Sequence, residues 1–281
     1  MPWTLLGFFA VLLGAIYASV LWEMAVEWYT DDDMSHGFFV PVVAGWVIWE
    51  MRDQLRALTP QPSRWGLVLM AWGALQLFAG ELGAEMFVTR TAFLVSLVGL
   101  ILAIGGAPYV RALAFPLFLL LFMIRIPAII FKQVTFPLQL FASQVAEGLL
   151  TLAGIPVLRE GNILELASQR LSVVEACSGI RSLLSLSFLA LVYAHFFDRK
   201  RWMRWALLAA TAPIAVAANA LRVAVTGIVS EINIEWSQGF YHTMEGFVMF
   251  AMAVAILLAV HQLINRIHRA WREPDDEPKP A

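Results

Sequence analysis

Eight apolar runs set what this chain can become: 3–22, 37–51, 65–83, 91–107, 112–124, 178–197, 205–229 and 242–265, each bounded by charge, proline or glycine. A helix crossing the hydrocarbon core needs about 20 predominantly apolar residues, so runs this frequent leave no room in 281 residues for a large soluble domain. With 60% hydrophobic residues, 14% charged and a mean hydropathy of +0.73, a soluble core of this size is excluded as well. The expectation is an all-α, polytopic membrane protein of about eight transmembrane helices. Residues 1–22 lack a basic leading region, which predicts an uncleaved first span and not a signal peptide.

Charge orders the loops. Arg52, Arg56, Arg64, Arg111, the cluster Arg199, Lys200, Arg201 and Arg204, and the tail residues Arg266, Arg269, Arg272 and Lys279 fall on one side of the predicted spans. The positive-inside rule makes that side cytoplasmic, with both termini there. Asp31, Asp32, Asp33, the loop 231–235 and the segment before Cys177 fall on the opposite face. The net charge of -2 conceals this asymmetry, and no basic stripe with interleaved aromatics points to nucleic acid. Residues 1–272 read as one integral membrane domain, followed by an acidic, proline-rich tail, 273–281, expected to be disordered and cytoplasmic.

Two stretches depart from plain spans. In 125–157 the polar residues Lys132, Thr135, Gln139, Ser143 and Glu147 recur every three or four positions, which draws one polar stripe along a helix that Pro137 bends. Such a helix lies in the interface, re-enters the membrane as the wall of a cavity, or packs its polar face against other spans. In 157–176 charged and apolar residues alternate, predicting a short periplasmic β-hairpin that turns near Ala167 to Gln169.

The hairpin leads to the chain's one cysteine, Cys177, at the start of a long apolar helix. Unpaired N–H groups and the helix dipole favour a thiolate there, and Arg181, one turn on, adds positive charge. The bland alternative is a small apolar filler. Arg222 sits about seven residues inside its span, costly unless it faces a polar cavity or an ion-pair partner, with Asn219 on the same face. His242 opens the last span, with Glu245 a turn below as an orienting partner, or is simply an interfacial histidine. His195 and His261 carry only a weak suggestion of haem or quinone chemistry, and Asp31 to His36 reads as a solvated acidic loop before a cation site. The predicted topology brings Cys177, Arg222 and His242 to one membrane face, where a thiolate, an oxyanion donor and a proton carrier together fit nucleophilic catalysis.

Ala176-Cys177-Ser178-Gly179-Ile180-Arg181-Ser182-Leu183, Asn219-Ala220-Leu221-Arg222 and Tyr241-His242-Thr243 with Glu245-Gly246, supported by Ser35-His36-Gly37, Val40-Pro41 and Arg125-Ile126-Pro127, resemble the exosortase/archaeosortase family over almost the whole chain. The resemblance implies a membrane cysteine transpeptidase that recognises a C-terminal sorting signal built of a Pro-Glu-Pro-type motif, a transmembrane helix and a basic cluster. It implies cleavage near that motif and transfer of the exported protein to a surface acceptor. Carried over, Cys177, Arg222 and His242 are catalytic, and histidine at the last position matches the bacterial pattern. Arg125, Arg159 and Arg170, on the predicted outer side, are expected to recognise the motif's acidic residue. The implied partners are the substrate's sorting-signal helix and membrane lipid. Some bacterial relatives carry a periplasmic domain after the last span, so a separate periplasmic accessory protein is a further expected partner. No cofactor or metal is implied. The rivals are a small-molecule transporter lined by Asn219, Arg222 and 125–157, and a non-catalytic assembly factor for surface polysaccharide; both would survive loss of the thiol.

Overall fold

The structure, a computed structural model, describes residues 3–173, 179–198, 200–234 and 239–270, so Cys177 and the 273–281 tail lie outside the described residues. The chain divides into two compact units, Met1–Ile130 and Phe131–Ala281. It is mostly helical. Among the described residues four helices are long and apolar enough to cross a membrane, or six if each of two bent pairs is one span. The multi-pass architecture stands, while eight spans are not reached among the described residues. The run at 37–51 folds only as a 12-residue helix, and the run at 112–124 is broken into short turns.

In the first unit, α1 (Trp3–Ile16) and α2 (Ala18–Thr30) meet at an angle of 74°. Tyr17 sits at the break, fully buried, its hydroxyl donating to the Gly73 carbonyl at 3.3 Å and lying 2.8 Å from Ser96 Oγ. A polar tip held from outside the helix pair fixes where the chain turns.

Helices α3 (Phe39–Glu50) and α4 (Arg52–Ala57) follow, then the tight hairpin of α5 (Trp65–Leu82) and α6 (Met86–Ile104). Gly66, Gly73 and Gly80 recur at two-turn spacing on one face of α5. A Cβ at Gly66 would strike the Ala103 backbone, one at Gly73 would strike Ser96 Oγ, and one at Gly80 would lie 2.7 Å from Thr89 Cγ2. Small residues here let two backbones approach, the usual basis of helix association where lipid removes the hydrophobic drive. Helices α7 (Ala107–Ala112) and α8 (Ala114–Leu119) come next, and Tyr109 of α7 is buried with its hydroxyl 2.9 Å from the Leu55 carbonyl.

A short 3₁₀ segment, Asp32–Phe38, docks on a 3₁₀ turn, Leu120–Met123. Trp28 Nε1 donates to the Met123 carbonyl at 3.0 Å, and His36 Nε2 lies 3.1 Å from the Phe122 carbonyl oxygen. A Cβ at Gly37 would fall within the Trp28 indole, so only glycine fits that contact. The distant stretches Ser35-His36-Gly37 and Arg125-Ile126-Pro127 are thereby joined.

In the second unit, α9 (Ala128–Leu152) and a three-stranded antiparallel meander of β1 (Leu158–Glu160), β2 (Ile163–Glu165) and β3 (Arg170–Ser172) share one core. The turn expected near Ala167 to Gln169 is present, with Leu166 N–H donating to the Gln169 carbonyl at 3.0 Å. The structure adds a second turn at Gly161, whose φ of +65° suits glycine. The polar stripe of α9 turns out to be the seat of this sheet. Asn162 donates to Gln139 at 3.4 Å, Ser143 donates to the Gly161 carbonyl at 2.9 Å, and Arg159 meets Glu147 at 2.6 Å. Beneath these, Ala142, Ala146 and Leu150 of α9 pack with Leu164, Leu171 and Val173 of the sheet and with Ala220, Val223 and Ala224 of α11 (Arg201–Ile232).

Helix α10 (Gly179–Phe197), α11 and α12 (Gly239–Ala270) form a three-helix layer. Its shared core includes Leu186 and Ala190 of α10, Leu207 and Ala218 of α11, and Ala253 and Leu257 of α12. One end is locked by polar contacts. Buried Asp198 accepts from the Lys200 backbone N–H at 2.8 Å, from Asn265 at 3.2 Å, and lies 3.1 Å from His261 Nε2, whose Nδ1 is 3.0 Å from the Tyr193 hydroxyl.

Candidate active site

The locked end also fixes helix register. Ser187 Oγ of α10 lies 3.0 Å from Thr211 Oγ1 of α11, and these helices run antiparallel. Counting back along α10 and forward along α11 by equal steps puts Gly179, where α10 begins, level with Asn219, one turn short of Arg222. The Tyr193–His261 contact gives the parallel register of α10 and α12, and the same count puts Gly179 level with Phe247. Three helices thus present Gly179, Asn219 to Arg222, and Gly246 to Phe247 at one depth.

Arg222 is buried at 7% exposure and Asn219 at 9%. The guanidinium of Arg222 lies on the bare Cα of Gly246, where an added Cβ would sit 3.3 Å from Nη2 and 3.5 Å from Cζ. His242 precedes Gly246 by one turn of the same helix, about 6 Å along the axis. A cation is costly at this depth, and glycine gives it close access to helix α12. Gly246 was visible in the sequence only as part of the Glu245-Gly246 pair.

The sheet is tied to α11, the helix that carries Arg222. Ser168 N–H donates to Glu231 at 3.0 Å, Ser168 Oγ is 3.1 Å from Ser230 Oγ, and Leu150 and Leu166 fill the space over Gly227. Val173, fully buried, donates its N–H to the Asn162 carbonyl at 2.9 Å. The chain therefore leaves the sheet against α11 and rejoins the described structure at Gly179, level with Asn219. Cys177 lies between, outside the described residues, as do the side chains of Arg181, His242 and Glu245.

The three arginines expected to read the substrate are each occupied by a carboxylate. Arg125 pairs with Asp31 and lies 3.4 Å from Glu27, Arg159 holds Glu147, and Arg170 pairs across the strands with Glu165. Glu27 also holds buried Arg90 at 2.5 Å, a pair that no sequence spacing announced. Among the described residues no three His, Cys, Asp or Glu side chains gather to hold a metal ion.

These features define a multi-pass membrane protein with a buried arginine set against Gly246, two turns into α12 and one turn from the level at which α10 begins. The family model described as transmembrane exosortase (Exosortase_EpsH) matches residues 28–259, and the chain belongs to that family. Its members are generally membrane proteases or transpeptidases. No curated protein and no solved structure matches the chain.

Proposed function

We propose that the protein is a cysteine transpeptidase that cuts the C-terminal sorting signal of exported proteins at the periplasmic face of a bacterial inner membrane. What carries the reading is Arg222 on Gly246, one turn from His242, with Asn219, one turn before Arg222, level with the first residue of the helix that Cys177 precedes.

The steps follow from what each group can do. The Cys177 thiol gives its proton to His242, and the sulfur attacks the scissile carbonyl to form a tetrahedral oxyanion. Arg222 stabilises that charge. His242, now imidazolium, protonates the departing amine as the C–N bond breaks, leaving a thioester. An incoming acceptor then loses its proton to His242, attacks the thioester carbonyl, and the thiol is restored. Asn219 orients Arg222, Glu245 orients His242, and Arg181 adds positive charge beside the sulfur.

The test is processing of a co-expressed reporter ending in a Pro-Glu-Pro motif, a transmembrane helix and a basic cluster. Cys177→Ala is expected to stop processing while the protein stays folded in the membrane. Undiminished processing by Cys177→Ala, or by alkylated enzyme, would sink the reading and favour a thiol-independent transporter or assembly role.

A further inference from the structure

The polar stripe of α9 continues beyond the sheet that it seats. Upstream of Ser143, the helix and Asn162 bound an open groove of about 490 Å³, lined among others by Lys132, Gln133, Phe136, Pro137, Gln139 and Asn162. That volume falls within the roughly 300 to 1,000 Å³ typical of ligand sites.

The groove combines an aromatic ring and a proline ring with three side-chain amides and one cation. Each amide can both donate to and accept from a peptide backbone. Lys132 is exposed, and among the described residues no carboxylate pairs with it, in contrast to Arg125, Arg159 and Arg170. Asn162 links the groove to the site, because its carbonyl holds the N–H of Val173. Cys177 follows Val173 by four residues, a reach of at most about 14 Å.

We propose that this groove seats the substrate segment beside the cleaved bond, with a substrate carboxylate on Lys132 and neighbouring apolar or proline side chains against Phe136 and Pro137. The inference rests on Cys177 being the nucleophile. An anionic lipid headgroup shares the charge but would leave the exposed Gln133 amide, and the capacity that Gln139 and Asn162 keep beyond their mutual bond, without a backbone to bind, and it has no need of a tie to Val173.

The experiment uses the full chain and two reporters, one with the motif's glutamate and one with lysine in its place. Lys132→Glu is expected to slow processing of the glutamate reporter by roughly ten- to a hundredfold, the range of a charge-assisted contact. The same variant is expected to process the lysine reporter better than the parent enzyme does, which a misfolded protein could not do. Parent-level processing of the glutamate reporter by Lys132→Glu would overturn the groove. So would equal slowing of both reporters with weaker retention on phosphatidylglycerol vesicles, the mark of a lipid-headgroup site. Cys177→Ala run alongside separates the failures: if it too processes the reporter, the nucleophile reading falls and the groove with it.

Discussion

The Arg222 guanidinium rests on the Cα of Gly246, joining the middle of α11 to the first turns of α12 where His242 stands. A methyl group at Gly246 would meet Nη2 at 3.3 Å, closer than most real contacts, so the guanidinium must slide by a few tenths of an ångström. Alanine also favours the helix over glycine by about 0.5 to 1 kcal/mol. Gly246→Ala is therefore expected to hold or raise thermal stability in detergent while processing of the reporter falls by about tenfold. Gly148→Ala in α9, where a Cβ meets nothing within 4 Å, serves as the silent control. Parallel loss of stability and processing in Gly246→Ala would show that the contact is only structural.

The α5–α6 hairpin gives the opposite prediction for a glycine. At Gly66 the obstacle is the Ala103 backbone, which cannot swing away as a side chain can. Gly66→Ala should separate the helices and cost about 1 to 3 kcal/mol, the range of overpacking strain. The melting temperature of the purified protein should drop, and a melting temperature equal to the parent's would refute the packing argument.

Much of this was legible before any coordinates. The apolar runs marked the long helices because lipid demands length and hydrophobicity together, and alternation with turn residues marked the sheet and its Ala167 to Gln169 turn. The stripe at Gln139, Ser143 and Glu147 was seen, but not its partner, because the sheet that it carries lies up to two dozen residues away. The bend at Tyr17 and the short α3 were hidden for the same reason. A hydroxyl bonded to Ser96 and a Gly37 fitted under Trp28 are tertiary facts with no local signal. The recognition arginines were chosen by predicted side alone, and side says nothing of whether a carboxylate already holds them.

The Glu27 carboxylate between Arg90 and Arg125 is testable by unequal substitutions. Arg90's side chain is only 4% exposed, so Glu27→Gln leaves a buried guanidinium without its counter-charge, which costs about 3 to 5 kcal/mol. Replacing both, Glu27→Gln with Arg90→Met, removes the charge along with its partner and should cost less than Glu27→Gln alone. Denaturation of the parent, Glu27→Gln, Arg90→Met and the double variant in one detergent decides it, since additive losses would mean that the pair is not coupled.

Acid should weaken the fold in two steps, read from two groups outside the spans. Burial lowers the pKa of His36 below its ordinary 6.5, against opposing contacts from the Phe122 and Asp33 carbonyls, so the folded protein holds this imidazole neutral. The unfolded chain then binds the proton more readily, and stability present above about pH 6.5 declines as pH falls toward the folded value. Burial pushes the Asp198 carboxyl up, but the Lys200 backbone N–H, His261, Asn265 and the Lys200 charge outweigh it and leave the pKa below 3.8. That contribution is complete above pH 3.8 and disappears only as pH falls through the lowered value. The melting temperature should therefore begin to fall as pH drops below about 6.5, and His36→Gln should flatten that first limb while leaving the steeper acid limb in place. Asp198→Asn should do the reverse, and a variant pair with the two limbs unchanged would show that neither group sets the acid response.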